Sequence, residues 1–169
     1  QMDAVADLAE AYSFGEIRVT HRQNLILADV PSDDLYDLWR ALDGLDLATP
    51  NITRATDIVA CPGLDYCNLA TARSIPVAQR LSDRLAALDE QYDLGPLNIN
   101  ISGCINSCGH HHVGHIGILG LEKSGAESYQ VTLGGSSADA AAIGRIVGRG
   151  FGADEIVDAV ETIVRTYLE

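Results

Sequence analysis

Four cysteines, and no others, stand in this 169-residue chain as two close pairs. Cys61 and Cys67 lie in ACPGLDYC, Cys104 and Cys108 in SGCINSCGHHHVGH, with 36 residues between the pairs. Four thiolates are the ligand set of a cubane iron–sulfur cluster and also of structural zinc. Paired zinc cysteines favour two to four intervening residues. The wider spacing of the first pair leans toward iron–sulfur. Two disulfides are the remaining use of four cysteines, but that pattern suits small secreted scaffolds short of a core. Metal or cluster ligation is therefore the leading reading, and the reducing cytoplasm the expected compartment.

The flanking residues suit a compact ligand. Gly63, Gly103 and Gly109 permit close backbone approach, and Pro62 stiffens the first loop. Backbone N–H groups of such loops can bond to cluster sulfurs and tune the potential. His110, His111, His112 and His115 crowd the second loop. Four cysteines already complete a site, and consecutive histidines in extended chain point to opposite sides. Their expected use is solvated or cofactor-adjacent, with proton delivery available near neutral pH.

Composition narrows the class. Apolar residues make up 47% of the chain and the net charge is −13. That apolar share supports a globular core. The charge argues against nucleic acid, whose phosphates need clustered cations, and gives no long-range attraction to anionic substrates. The apolar runs are short and broken by charge, so no membrane span is expected. Gln1, already inside a helical pattern, reads as a cut end.

The periodicities supply the elements that must carry the cysteines. A helix is predicted over Met2–Tyr12, with Val5, Leu8, Ala9 and Tyr12 on one face. Strands are predicted over Glu16–Thr20 and Asn24–Asp29. A helix follows with Ser32 as N-cap and Trp39 in the core. Thr49-Pro50-Asn51 marks a boundary between residues 1–50 and 51–169. Ile52–Ala60 is predicted as a strand that delivers Cys61. Helical chain follows Cys67, broken near Ser74-Ile75-Pro76, then an amphipathic helix over Val77–Gln91. Leu97–Ser102 alternates as the strand that delivers Cys104. An antiparallel pair over His115–Glu122 and Ser128–Leu133, a short helix over Ala138–Ile143 and a helix over Ala153–Leu168 complete the chain. The fold class is α+β.

ACPGLDYC with ISGCINSCGHHHVGHIGILG closely resembles the cluster-binding signature of the sirohaem-containing nitrite and sulfite reductases. The upstream RVTHRQNLILADVP resembles the ferredoxin-like half-domain of that family. The resemblance implies a ferredoxin-like half-domain over residues 1–50, followed by a mixed α/β four-iron four-sulfur and sirohaem domain over 51–169. It implies Cys61, Cys67, Cys104 and Cys108 as the cluster ligands, with Cys108 the thiolate shared with the sirohaem iron and hence the catalytic residue. Arg18, Thr20, Arg22, Gln23 and Asn24 match the segment that reaches the macrocycle, whose carboxylates suit cationic and amide donors. Asn106 matches a position close to the cofactor, and Gly134 and Gly135 a loop near it.

The implied reaction is six-electron reduction of sulfite to sulfide or nitrite to ammonia. The implied partners are that substrate, a ferredoxin or flavoprotein electron donor, and an N-terminal half that this chain lacks. Family members contain two related halves, and this chain matches the C-terminal one, so it reads as a fragment or one piece of a split enzyme. A non-catalytic iron–sulfur or cofactor-binding module, or a zinc module held by the four cysteines, are the alternative readings.

Overall fold

The computed structural model describes residues 1–169 and divides into two compact units, Gln1–Pro50 and Asn51–Glu169. In the first, helix α1 (Met2–Tyr12) buries Val5 and Ala9. It ends where the N–H groups of Ser13 and Gly15 both turn back to the Ala9 carbonyl. Strands β1 (Ile17–Val19) and β2 (Leu25–Leu27) form an antiparallel hairpin with Ile17 opposite Leu27. The Ser13 hydroxyl ties the end of α1 to this hairpin by donating to the Ala28 carbonyl at 2.6 Å.

Helix α2 (Leu35–Asp43) follows a 3-10 turn at Ser32–Asp34, where Ser32 makes no capping bond. Trp39, expected in the core, is 48% exposed and stacks on Tyr36 instead; Leu38 alone of this helix is buried. Four apolar positions over three turns do not say which of them meets the core when the helix has little to pack against.

The second unit is built on a five-stranded sheet in the order β3-β4-β5-β6-β7. Strands β3 (Val59–Ala60), β4 (Ile99–Ser102) and β5 (Ile116–Lys123) run parallel. Strands β6 (Ala126–Leu133) and β7 (Arg145–Gly152) continue antiparallel. Alternation puts Ile99 and Ile101, Ile116 and Ile118, and Tyr129 and Val131 into one core. Against them pack Val77, Leu81, Leu85 and Leu88 of α3 (Ile75–Tyr92) and Ile156, Val157, Val160 and Val164 of α4 (Ile156–Tyr167). Arg84 binds Asp158 and Glu161 at 2.8 and 2.5 Å, joining the two helices at their exposed edge.

Three local expectations are corrected. Residues 52–58 are turns and irregular chain, and only Val59–Ala60 pairs as strand, since β4 is the one neighbour β3 has. The stretch after Cys67 is turns up to Ser74, and α3 starts at Ile75 with Pro76 in its first turn, where a missing N–H costs nothing. Residues 138–143 form no helix: Ser136 and Ala142 pair in an isolated bridge, and the chain then enters β7. The helical propensity of ADAAA yields there to the sheet edge.

Leu81 is fully buried whereas Leu69 is largely exposed. Leu81→Ala is expected to cost about 2–5 kcal/mol by urea unfolding, and Leu69→Ala within about 0.5 kcal/mol.

Candidate metal centre

The chain that follows β3 and the chain that follows β4 emerge side by side, because the two strands are parallel neighbours. Cys61 follows β3 and Gly103-Cys104 follows β4, so parallel pairing alone brings the two cysteine loops to one sheet end. A lattice of bonds through Gly103 then closes them on each other. Its carbonyl accepts from the N–H groups of Thr71 and Ala72 at 2.9 and 3.0 Å and from the Thr71 hydroxyl at 3.1 Å. Its own N–H donates to Cys61 Sγ at 3.0 Å. A Cβ on Gly103 would stand 2.6 Å from the Ala72 carbonyl oxygen, so only glycine fits.

Each loop is also turned internally. In the first, Cys67 N–H donates to the Gly63 carbonyl at 2.9 Å. Arg73 reaches back to Asp65 inside this loop at 3.0 Å and pairs with Glu127 of β6. The buried Tyr129 hydroxyl shares its one proton between the Arg73 carbonyl at 3.0 Å and Glu127 at 2.8 Å. Burial pushes the Glu127 carboxyl up, but the Arg73 backbone N–H, the Tyr129 hydroxyl and the Arg73 charge outweigh it and hold the group ionised below its ordinary value. Burial and the Glu127 bond raise the Tyr129 phenol well above its own, so it stays a donor.

The second loop folds back across the sheet face opposite the helices. Gly109 N–H donates to Ser102 Oγ at 3.2 Å, and Asn100 Nδ2 donates to the Gly109 carbonyl at 2.9 Å. Any side chain on Gly109 would collide with the Ile101 carbonyl. His111 is buried against β5, 1% exposed, with its ring centroid 3.9 Å from that of His112. His112 Nε2 lies 3.0 Å from Ser107 Oγ, in the turn between Cys104 and Cys108. Burial, aided by the His112 charge, lowers the His111 pKa to about 4, so it is neutral at physiological pH. His115 takes a different part, accepting at Nδ1 from the Asn98 N–H at 3.1 Å.

All four thiols are free; Cys61 and Cys104 are buried, Cys67 is half-buried and Cys108 is exposed. No three His, Cys, Asp or Glu side chains converge on a point where a single ion could sit. A cubane takes its four cysteines on four different irons, so its ligands need not converge on one point. Two loops locked edge to edge, with a sulfur already receiving a backbone donor, fit the larger group.

The remaining residues singled out from sequence are distributed as follows. Asn106 is exposed in the turn between Cys104 and Cys108. Gly134 N–H donates to the His115 carbonyl at 3.0 Å, and Gly135 packs on the carbonyls of His112 and Gly114, so this pair adjoins the second loop. Arg18, Thr20, Arg22, Gln23 and Asn24 belong to the first unit. Arg18 is paired with Glu16 at 2.7 Å and Asp29 at 3.2 Å. Thr20 Oγ1 accepts from the N–H groups of Arg22 and Asn24, fixing the hairpin turn with Gln23 at its tip. Arg73, Ser74, Glu127 and Tyr129 were not legible as site residues. In the sequence, Ser74 stands only in the break expected at Ser74-Ile75-Pro76.

Two outcomes follow from this geometry. Gly103→Ala is expected to destabilise the cofactor-free protein by about 1–3 kcal/mol in urea and to abolish iron loading. His111 binds its proton more weakly folded than unfolded, so its contribution to stability is full above about pH 6.5 and is lost as pH falls toward about 4. His111→Gln should flatten that part of the stability–pH curve, measured by urea unfolding at each pH.

Comparison with known proteins places these features in a family. Residues 1–45 match the family described as "Nitrite/Sulfite reductase ferredoxin-like half domain", and residues 53–169 match "Nitrite and sulphite reductase 4Fe-4S domain". The chain is 34% identical to a sulfite reductase (ferredoxin) of Mycolicibacterium paratuberculosis, covering 98% of this chain and 32% of that protein. It is 32% identical to a ferredoxin–nitrite reductase of Synechococcus elongatus, covering 95% and 32% respectively. The solved structure of the Mycobacterium tuberculosis NirA protein superposes with a TM-score of 0.83 at 32% identity, over 98% of this chain and 32% of that one. The chain thus spans about a third of the length of these relatives. With its cysteine loops in a fold shared at that level, the chain belongs to the nitrite and sulfite reductase family.

Proposed function

We propose that this chain is the cluster-bearing part of an enzyme that reduces sulfite to sulfide or nitrite to ammonia. Cys61, Cys67, Cys104 and Cys108 would hold a four-iron four-sulfur cluster, and Cys108 would be the thiolate shared with a sirohaem. The observation that carries this reading is the Gly103 junction, which ties the loop of Cys61 to the loop of Cys104. The exposure of Cys108 supports its place at the outer corner, where a second group can reach its sulfur. Tyr66, Leu69 and Ile105, exposed on the same two loops, offer apolar surface to a macrocycle.

When bound, the cluster and sirohaem would supply the electrons for the reduction. The chain's own residues do the rest. Gly103 and Gly109 shape the loops, Arg73 and Tyr129 fix the first loop against β6, and His112 holds the turn through Ser107. Arg18, Thr20, Arg22, Gln23 and Asn24 are assigned to the macrocycle's carboxylates, with Asn106, Gly134 and Gly135 beside the ring.

The reading includes a ferredoxin or flavoprotein donor and an N-terminal half that completes the pocket. It places residues 1–50 as the ferredoxin-like half-domain, residues 51–169 as the cluster domain, and the protein in the cytoplasm. No helix is long and apolar enough to cross a membrane.

The visible spectrum of anaerobically purified protein, with iron, labile sulfide and zinc assayed on the same sample, tests it. Haem bands with more than four irons per chain are expected for the coupled centre. Four irons and four sulfides without haem bands would reduce the reading to a cluster module, and zinc alone would overturn it. Cys108→Ser should disturb both cofactors' spectra, whereas Cys61→Ser should mainly disturb the cluster.

A further inference from the structure

Ser74 occupies the N-cap of α3, where a serine hydroxyl ordinarily accepts from an N–H of the first helical turn. It makes no such bond. The hydroxyl is 0% exposed and lies 3.3 Å from Cys61 Sγ, the sulfur that also receives the Gly103 N–H at 3.0 Å. Between a free thiol and a hydroxyl either partner can donate. A metal-bound thiolate carries no proton, so the hydroxyl must then be the donor.

We propose that Ser74, by donating to Cys61 Sγ, raises the reduction potential of the cluster; this rests on the cluster reading above. Reduction by a one-electron donor adds one negative charge to the cluster and its sulfurs, with no bond made or broken and no proton moved. Donors aimed at a ligand sulfur stabilise the more negative state. The positive end of the 18-residue α3 lies at the same place and acts in the same sense. Ser74 is held there rather than resting there. The preceding residue, Arg73, donates its N–H to Glu127 at 2.7 Å and accepts from Tyr129 at its carbonyl, fixing the backbone on which the hydroxyl is carried.

The test is a potentiometric titration of the cluster-loaded protein, reduced with dithionite and followed by electron paramagnetic resonance, with iron and sulfide counted. Ser74→Ala is expected to keep its irons and lower the reduced-to-oxidised ratio at fixed potential about tenfold, which is about 59 mV for a one-electron couple. Ser74→Thr, which retains a hydroxyl, should stay near the parent value. Ser82→Ala, two turns along the same helix with its hydroxyl on the Thr56 carbonyl, should not move it. A fully loaded Ser74→Ala protein titrating at the parent potential would overturn the proposal. Loss of iron in both Ser74 variants would make Ser74 a packing residue and overturn it as well. Loss in Ser74→Ala alone would support the bond to sulfur. A parent protein without four irons and four sulfides would instead refute the cluster reading itself.

Discussion

The backbone of Gly103 is the constraint on which the rest of the second unit depends. Its carbonyl collects three donors from residues 71 and 72, and its N–H is spent on the sulfur of Cys61. In a buried position every one of these groups must find a partner. The first cysteine loop is therefore satisfied only when it lies against the second. The sheet makes this possible by setting β3 and β4 parallel, and the small cross-section of glycine makes it tight.

The two faces of the sheet divide the labour. One carries the branched aliphatic residues of β4, β5 and β6 under α3 and α4, and supplies the apolar burial that stabilises the unit. The other receives the turn at His111–Val113, bonded through Asn100, Ser102 and Gly109. The strand periodicity thus commits odd-numbered β4 residues to stability and even-numbered ones to the site. Loops carried on a close-packed sheet hold a tight geometry, because the interior beneath them yields little.

Much of this was legible in sequence, and for identifiable reasons. The cysteine loops were visible because thiol pairs with adjoining glycines are rare and have few uses. Helices α1 and α4 and the β5–β6 hairpin were visible because their periodicities are long. Trp39 misled because a residue type with strong burial preference sits on a helix with little to bury against. The stretch 52–58 misled because strand character depends on a neighbouring strand, which local sequence does not name. β7 was hidden by its alanine-rich approach and its glycines at 148, 150 and 152. The environment of Ser74 was hidden altogether, since its hydroxyl is diverted from its local helix to a sulfur 13 residues away.

The crossover from β4 to β5 is made by the second cysteine loop itself, residues 103–115, rather than by a helix. The path of the chain is therefore inseparable from the site. A cluster on these four cysteines would staple residue 61 to residue 108 and enclose α3 and β4 in a closed ring of chain. Such a ring shrinks the conformational freedom of the unfolded polypeptide in the way a disulfide does. Cofactor insertion would thereby be a topological event as well as a chemical one, with the 48 residues from 61 to 108 closed into a loop that the cofactor-free chain lacks.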